Sequence, residues 1–189
     1  MKEELRNYIK SIVTVTEEEL VVILSCFKLL KAEKNELLVI YGQVNQRSFF
    51  VNSGCLRIYF ITENGQEATR YLAFENNFAT ALCSFISNEP SLEFIQALEP
   101  TELLYISSED FYHLLEIIPA WEKFYRHYLE NAYVNNTYRL MSFLTLDATE
   151  RYKQLLAINP KIIQRLPNKI VATYLNISQE TLSRLKSKR

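Results

Sequence analysis

The chain has 189 residues, 48% of them apolar, and no apolar run of about 18 residues or more, so it suits one or two globular domains and excludes a transmembrane span. Its net charge of −1 hides an asymmetry, because 160–189 carries seven basic residues and one acidic residue, a net charge of +6, which leaves about −7 for the rest. A basic end on an acidic body indicates a polyanion as the partner of that end, against the alternative of a solvated basic tail.

The first 30 residues or so predict helical structure. Thr16 is suited to cap a helix whose first turn holds three glutamates, 17–19, where carboxylates interact favourably with the helix dipole. The apolar residues that follow recur at helical spacing: Leu20, Ile23, Leu24 and Phe27. The charged stretch 1–10 lacks the apolar core of a signal peptide, and we therefore expect a cytoplasmic protein.

Residues 36–107 predict an antiparallel β-roll or barrel. Short β-rich runs follow one another between turn residues: L-L-V-I-Y, S-F-F-V, C-L-R-I-Y-F-I, A-T-R-Y-L-A-F, F-I-Q-A-L and L-L-Y-I. Asn64-Gly65 is the strongest turn signal, because both residues tolerate the positive φ of a tight hairpin. No long crossover helix interrupts the runs, which argues against a parallel α/β sheet.

From Ser108 onward the pattern is helical again. Ser108 is expected to cap a short helix, and Pro119 lies near the start of a long helix that runs to about Phe143. On the long helix one stripe repeats with spacings of 4, 3, 4 and 3, which is typical of helix pairing: Leu129, Tyr133, Asn136, Leu140 and Phe143. We interpret the stripe as a homodimer interface with Asn136 setting the register, against the alternative of packing on the chain's own β-roll.

A further helix, D-A-T-E-R-Y-K-Q-L-L, begins at Asp147, with Glu150 at the capping-box position. Prolines interrupt the chain after it. Two short helices are then predicted to close the sequence, one over 168–175 and one from Ser178 to about Lys186.

These last two helices have the features of a helix-turn-helix. Ala172 is small where two helices must cross closely, and Asn176 tolerates the left-handed backbone that the turn needs. Ser178 is a good N-cap. With Leu182 and Leu185 facing inward, a polar face is left outward on the second helix: Gln179, Glu180, Ser183 and Arg184.

The side chains of this segment suit the chemistry of DNA. Arginine pairs with guanine, glutamine with adenine, and glutamate accepts from cytosine, while Ser178 and Thr181 are placed to contact phosphate. Cationic residues supply charge for the phosphate backbone: Lys169, Lys186, Lys188 and Arg189. The alternative is an ordinary amphipathic helix in which Glu180 and Arg184 form an i,i+4 pair.

With these residues in place, the sequence resembles the Crp/Fnr family of bacterial transcription regulators, especially its short members from Bacteroidetes, over nearly the whole chain. The end I-V-A-T-Y-L-N-I-S-Q-E-T-L-S-R is similar to the family's I-A-x-x-L-G-I-S-x-E-T-V-S-R. S-G-C-L-R-I-Y-F-I-T-E-N-G-Q-E is similar to the family's strand, glycine turn, strand and D-G-x-E hairpin. The long helix stands where the family has its dimerisation helix.

The resemblance implies an α+β fold with three parts. A cyclic nucleotide-binding-like β-roll (a double-stranded β-helix) preceded by helices would occupy 1–117, a dimerisation helix 118–146, and a helix-turn-helix domain 147–189. Because the chain stops at Arg189, where many members continue into a β-hairpin wing, we expect the wing to be reduced or absent.

The resemblance also implies a function and partners. The protein would be a homodimer on a pseudo-palindromic site of double-stranded DNA, with two recognition helices about 34 Å apart in successive major grooves. RNA polymerase is a further implied partner. By the same likeness, base-reading positions fall on Gln179, Glu180 and Arg184, and a phosphate position on Thr181. The alternative is a sensor or interaction module that does not bind DNA.

The stretch that corresponds to the family's phosphate-binding cassette departs from it. Members that bind cyclic nucleotides carry F-G-E-(L/I)-A-L followed by R-(S/T)-A, whereas this chain has no charged residue at the matching positions. Because a buried phosphate needs a cation or a nest of N–H groups, we expect no tight binding of cAMP or cGMP. The matching candidate effector pocket, vestigial or open to another effector, comprises Phe78, Ala79, Thr80, Ala81, Leu82, Ser91 and Leu92.

Other chemistries find little support in the sequence. Cys26, Cys55 and Cys83 are far apart, so we expect neither a disulfide framework nor a metal or iron–sulfur site. His113 and His127 are expected on the surface. No catalytic motif occurs, and three glycines are too few for a Gly-rich phosphate loop, so we expect no enzyme activity.

Overall fold

The computed structural model describes residues 2–160 and 162–187. In this part of the chain the strands are β1 (Lys28–Ala32), β2 (Leu37–Val39), β3 (Arg47–Ser53), β4 (Leu56–Ile61), β5 (Glu67–Ala73), β6 (Phe78–Ala79), β7 (Phe94–Ala97) and β8 (Thr101–Ser107). The helices are α1 (Glu3–Ile12), α2 (Glu17–Ser25), α3 (Leu82–Ser87), α4 (Ser108–Ile117), α5 (Pro119–Thr145), α6 (Ala148–Ile158), α7 (Ile162–Arg165), α8 (Asn168–Leu175) and α9 (Gln179–Ser187).

The N-terminal helices end earlier than the sequence predicts. Thr16 caps α2 as predicted, in a full capping box: its hydroxyl accepts from the Glu19 N–H at 3.2 Å, and its own N–H donates to the Glu19 carboxylate at 2.9 Å. The helical region does not continue to residue 30, because Lys28 already pairs with Tyr105 in a sheet. Strand pairing with a distant segment overrides the local helical pattern here.

The strands form two four-stranded sheets, and the predicted antiparallel β-roll is confirmed. The strand orders are β1-β8-β3-β6 and β2-β7-β4-β5. Side chains of both sheets share one core, with Phe49 and Leu103 from the first sheet and Ile58 and Ile95 from the second. Three elements escaped the sequence analysis in this region: β1, where helix was predicted, β6, which has only two residues, and the short helix α3.

A second core is aromatic and joins the N-terminal helices to α4 and the start of α5. Trp121 is fully buried and donates its indole N–H to the Phe111 carbonyl at 3.3 Å. Helix α4 is capped by Ser107, whose hydroxyl accepts from the Asp110 N–H at 3.1 Å, so the prediction of Ser108 as cap is wrong by one residue. Ser107 has the extended backbone of a cap, whereas Ser108 is already helical.

The hairpin between β4 and β5 turns at residues 62–66. The Thr62 N–H donates to the Gln66 carbonyl at 2.8 Å, and Gly65 takes φ +73°. Of the predicted pair, only Gly65 has a positive φ; Asn64 does not. One left-handed residue suffices because the loop has more than two residues.

The chain divides into two compact units. The first comprises 1–60 and 71–129, and the second comprises 61–70 and 130–189. The second unit therefore combines the tip of the β4–β5 hairpin with the latter half of α5 and all later helices. The functional division at 117 and 146 remains a prediction.

Candidate nucleic-acid interface and effector pocket

Within the second unit, α8 and α9 form two helices joined by a tight turn. Asn176 takes the predicted left-handed conformation, with φ +52°. The backbone N–H groups of Asn176 and Ile177 both donate to the Ala172 carbonyl, with Ile177 N at 3.0 Å. These two hydrogen bonds close the last turn of α8. Ala172 itself is buried, as its small size suggested.

Helix α9 is fixed at its start and along its inner face. The Ser178 hydroxyl accepts from the Thr181 N–H at 3.1 Å, which is the predicted N-cap. Leu182 is fully buried and Leu185 is half-buried. The predicted outer face is indeed exposed: Gln179, Glu180, Ser183 and Arg184.

The exposed face carries both signs of charge, with Glu180 and Arg184 one turn apart. Arg184 donates from Nη2 to the Thr181 hydroxyl at 3.3 Å, which aligns the guanidinium along the helix. The backbone N–H of Glu180 and the Ser178 hydroxyl lower the pKa of the Glu180 carboxyl. Glu180 is therefore an ionised acceptor at neutral pH, the form that takes a hydrogen bond from cytosine.

Two lysines predicted to contact phosphate, Lys169 on α8 and Lys186 on α9, already contact oxygen atoms of the chain. Lys169 is exposed and lies 3.5 Å from the Glu67 carboxylate. Lys186 donates to the Asn168 side-chain oxygen at 2.5 Å. Lys188 and Arg189, also predicted contacts, lie outside the described residues.

Two arginines that the sequence analysis missed hold the end of α8. Arg139 donates from Nη2 to the Tyr174 carbonyl at 2.7 Å, and Arg151 donates from Nε to the Leu175 carbonyl at 3.2 Å. These carbonyls belong to the last turn of α8, where carbonyl groups have no N–H partner within the helix and the negative end of the helix dipole lies. Arg151 also donates to the Leu146 carbonyl at 2.7 Å, which ties α8 to the end of α5.

Arg139 lies between two aromatic rings. Its Cζ is 4.0 Å from the centroid of the Tyr174 ring and 4.8 Å from that of Phe143. Burial lowers the pKa of Arg139, but an arginine starts so high that the guanidinium remains charged at neutral pH. The spacing of four between Arg139 and Phe143 was a visible signal for this contact, though a weak one.

The predicted dimer stripe on α5 is partly exposed and partly covered. Tyr133 is 74% exposed and Leu140 59% exposed, and Asn136 is exposed as well. Leu129 is half-buried, and so is Phe143, whose ring contacts Arg139 and Arg151 of its own chain. Further exposed apolar residues lie elsewhere around the same helix: Val134, Tyr138, Met141 and Leu144.

The predicted effector-pocket residues differ in their surroundings. Phe78 packs in the aromatic core against Phe50 and Phe124, with ring centroids 5.1 and 5.9 Å away. Ala79 and Ala81 belong instead to the core of the β-roll. The others differ in exposure: Thr80 and Ser91 are buried, Leu82 is half-buried and Leu92 is 70% exposed.

A polar network surrounds Thr80, one of the residues of the predicted effector pocket. The Asn45 side-chain N–H donates to the Thr80 hydroxyl at 2.8 Å, and that hydroxyl donates to the Arg47 carbonyl at 3.1 Å. The Asn45 backbone N–H donates to the Ser84 hydroxyl at 2.9 Å, which in turn donates to the Glu89 carbonyl at 2.5 Å. The chain's own groups thus satisfy the polar atoms at this site.

The cysteines and histidines show no shared site. Cys26 is half-buried, Cys55 buried and Cys83 exposed, and none of the three is in a disulfide. His113 and His127 are exposed, as predicted. Across residues 2–160 and 162–187, His, Cys, Asp and Glu side chains form no group of three that could hold a metal ion. In the same ranges no helix combines the length and apolar character needed to cross a membrane.

Residues 29–117 match the sequence model of the cyclic nucleotide-binding domain family. The fold is accordingly the antiparallel β-roll of that domain, followed by a long helix and a small helical C-terminal region. No curated protein matches the sequence.

Solved structures of regulators share this fold. The c-di-GMP-responsive global regulator CLP of Xanthomonas campestris has a TM-score of 0.72 at 16% identity, with 92% of this chain and 91% of that chain covered. A mutant of CooA from Carboxydothermus hydrogenoformans has a TM-score of 0.70 at 19% identity, with 93% of this chain and 85% of that chain covered. A regulator of the crp/fnr family from Eubacterium rectale has a TM-score of 0.68 at 15% identity, with 90% of this chain and 82% of that chain covered. At these identities the likeness establishes the fold alone.

Proposed function

We propose that the chain is a transcription regulator of the Crp/Fnr type that binds double-stranded DNA as a homodimer. One observation carries the proposal: the polar face of α9 is exposed, while Leu182 beneath it is buried and Ser178 fixes its start. A helix held in this way presents its side chains to a major groove at fixed positions. The basic charge of this segment supplies the phosphate affinity that sequence reading requires.

The latter half of α5 supports the homodimer. Its exposed apolar side chains lie at helical spacing, with Tyr133, Leu140 and Leu144 along one line. An exposed stripe of this kind indicates an interaction surface, and a second copy of the same helix would cover it. Pairing of two protomers places two α9 helices on one DNA molecule, which is the arrangement that a pseudo-palindromic site demands.

The β-roll supports a regulator that does not bind cAMP. The buried Thr80 and Ala81 carry no charge, and Asn45 already pairs with Thr80. Arg57 is a buried cation on β4, but strand alternation places it on the face opposite Leu56 and Ile58, which line the core of the roll. A cyclic phosphate inside the roll would therefore lack a cation to replace its lost water.

The proposal also includes the cytoplasmic location and the contact with RNA polymerase that the resemblance implies. Support for both comes from the likeness in fold to regulators such as CLP.

A gel-shift experiment with genomic promoter fragments at two salt concentrations tests the proposed function. We expect a subset of fragments to shift at low salt and the affinity to fall steeply with salt, because phosphate contacts release counterions. The double variant Gln179→Ala, Arg184→Ala should lose the preference for that subset while it retains weak binding to all fragments. Absence of any shift at low salt would overturn the proposal and favour a sensor module that does not bind DNA.

A further inference from the structure

The tip of the β4–β5 hairpin contacts the first helix of the helix-turn-helix directly. The Thr69 and Thr173 hydroxyl oxygens are 2.6 Å apart, and Lys169 lies 3.5 Å from Glu67. Glu67 and Thr69 lie on one face of β5, and Lys169 and Thr173 lie on one face of α8. Hairpin and helix are both part of the second compact unit.

Arg139 joins the same two elements through a single nitrogen. Its Nη2 donates to the Thr69 carbonyl at 2.8 Å and to the Tyr174 carbonyl at 2.7 Å. Thr69 lies on β5 and Tyr174 on the last turn of α8, so one guanidinium connects a strand that continues into the β-roll with the helix that supports α9. The predicted DNA contacts of α9 are not used in this arrangement.

We propose that Arg139 is a positioning residue through which the β4–β5 hairpin sets the orientation of the helix-turn-helix for specific DNA binding. This inference rests on the proposed function and deepens it. The contacts among Arg139, Thr69, Thr173, Tyr174 and Phe143 are called the Arg139 clamp below. When the clamp is closed, the two helices are held at the orientation that reads DNA, and when it opens, they lose that orientation.

The geometry of the clamp requires an arginine. The Arg139 guanidinium lies over the rings of Tyr174 and Phe143, with Cζ 4.0 and 4.8 Å from their centroids, while its Nη2 donates to two carbonyls. A lysine ammonium keeps the charge but has neither the flat faces nor the fixed donor geometry. Arg139→Lys should therefore open the clamp without removing a charge from the chain.

The exposed base-reading face indicates that the closed clamp is the binding-competent state. Gln179, Glu180 and Arg184 remain exposed while the clamp is closed, and the clamp contacts fall on α8 instead. An ordered support lowers the cost of immobilising a recognition element when it binds. Loss of the clamp should therefore weaken specific binding rather than release an inhibited protein.

Amide hydrogen exchange on the full chain, without DNA, tests the clamp itself. Arg139→Lys should raise exchange rates in the hairpin tip and in α8 together by about tenfold, since both lose one shared anchor. Arg126→Lys, an exposed arginine on the same helix, is the matched control and should change neither segment. Thr69→Val and Thr173→Val provide a second test, because a double-mutant cycle should show coupling between them. Unchanged exchange rates in Arg139→Lys, or faster exchange in only one of the two segments, would overturn the clamp.

Binding to a fragment that the wild-type protein selects tests the positioning role. Arg139→Lys should weaken specific binding by about tenfold while non-specific binding at low salt changes by less than about twofold. Equal loss of both, or no loss with exchange already raised, would mean that Arg139 is structural and would overturn the inference. If wild-type protein selects no fragment, the proposed function is wrong and the positioning role falls with it, whereas the exchange data still decide whether the clamp exists.

Discussion

At the scale of single residues, Gly54 shows how tightly the turn before β4 is packed. Its φ is +105°, and a Cβ at this position would lie 2.4 Å from the Thr101 hydroxyl oxygen and 2.8 Å from the Thr101 Cα. We expect Gly54→Ala to lower the free energy of unfolding by about 2–4 kcal/mol, because strain and a backbone clash add. Denaturant unfolding measures it.

Gly42 is the matched control for this prediction. It has φ +82° but nothing within 4 Å of an added Cβ. Gly42→Ala should lower the free energy of unfolding by about 1 kcal/mol, which is the penalty for the left-handed backbone alone. Equal losses in the two variants would show that the contact with Thr101 is unimportant.

Arg184 is the residue on which sequence recognition should depend most. Because a bidentate arginine–guanine contact discriminates one base pair, Arg184→Ala should cost about 1–3 kcal/mol on the selected sequence and relax specificity at one position. Competition binding with single-base variants of the selected fragment measures both effects. Lys186→Ala is the control, since loss of a phosphate contact should weaken all sequences alike. If Arg184→Ala also weakened every sequence equally, its base-reading role would be wrong.

Local signals explain which residues were predictable from the sequence. Thr16, Asp147 and Ser178 were identified as caps because the cap and its partner lie three residues apart. Arg139 was not identified, because its partner Thr69 is 70 residues away along the chain. No sequence periodicity encodes a contact of that separation, so only the tertiary structure reveals it.

At the scale of elements, the long helix α5 shows both the strength and the limit of periodicity. The repeat correctly singled out Tyr133 and Leu140 as members of an apolar stripe, and both are exposed. It also included Phe143, whose ring is used by Arg139 and Arg151 of the same chain, and it omitted the exposed Leu144. Periodicity places residues on one face of a helix, but it does not show which part of that face the chain itself covers.

The stripe leads to a prediction about the oligomeric state. Leu140→Glu would place a charge in the apolar interface of a dimer, where burial without a partner costs several kcal/mol, so the dimer should dissociate. Light scattering would report half the wild-type mass. Asn135→Glu, exposed on the opposite side of α5, should leave the mass unchanged. A dimer that persists in Leu140→Glu would refute the interface.

The short elements of the β-roll region were missed for a different reason. Strand β6 has two residues and α3 has six, which is too little for a period of two or of 3.6 to emerge. Helix α3 ends where Asn88 takes φ +57°, and Ser84 within it is bonded to Asn45, 39 residues earlier. Tertiary contacts rather than propensity determine these segments.

At the scale of the whole molecule, the fold was predicted from local sequence patterns, whereas the expectation about ligand binding was drawn from single residues. Antiparallel topology followed from local patterns, because many short runs without a crossover helix admit few alternatives. The expectation that cAMP and cGMP do not bind tightly rests on single positions, such as Ala81, where the resembling family has a ribose-binding glutamate. What neither supplied was the internal network around Asn45, whose hydrogen bonds join residues 35 and 39 positions apart along the chain.

This network and the missing cation make separate contributions to one prediction about cAMP. A ligand at about 100 times its dissociation constant stabilises a protein by about 2.7 kcal/mol, or a Tm rise of roughly 5–10 °C for a chain of this size. With about 1 mM cAMP we expect a rise of less than about 1 °C. Asn45→Ala separates the two contributions: it should destabilise the fold by about 1–3 kcal/mol, because it removes the side-chain hydrogen bonds of Asn45 with the Thr80 hydroxyl and the Arg47 N–H. It should still show no response to cAMP, since opening the site adds no cation for the phosphate. A saturable Tm rise in wild type would refute the prediction, and one in Asn45→Ala alone would show that the network, not the missing charge, excludes the nucleotide.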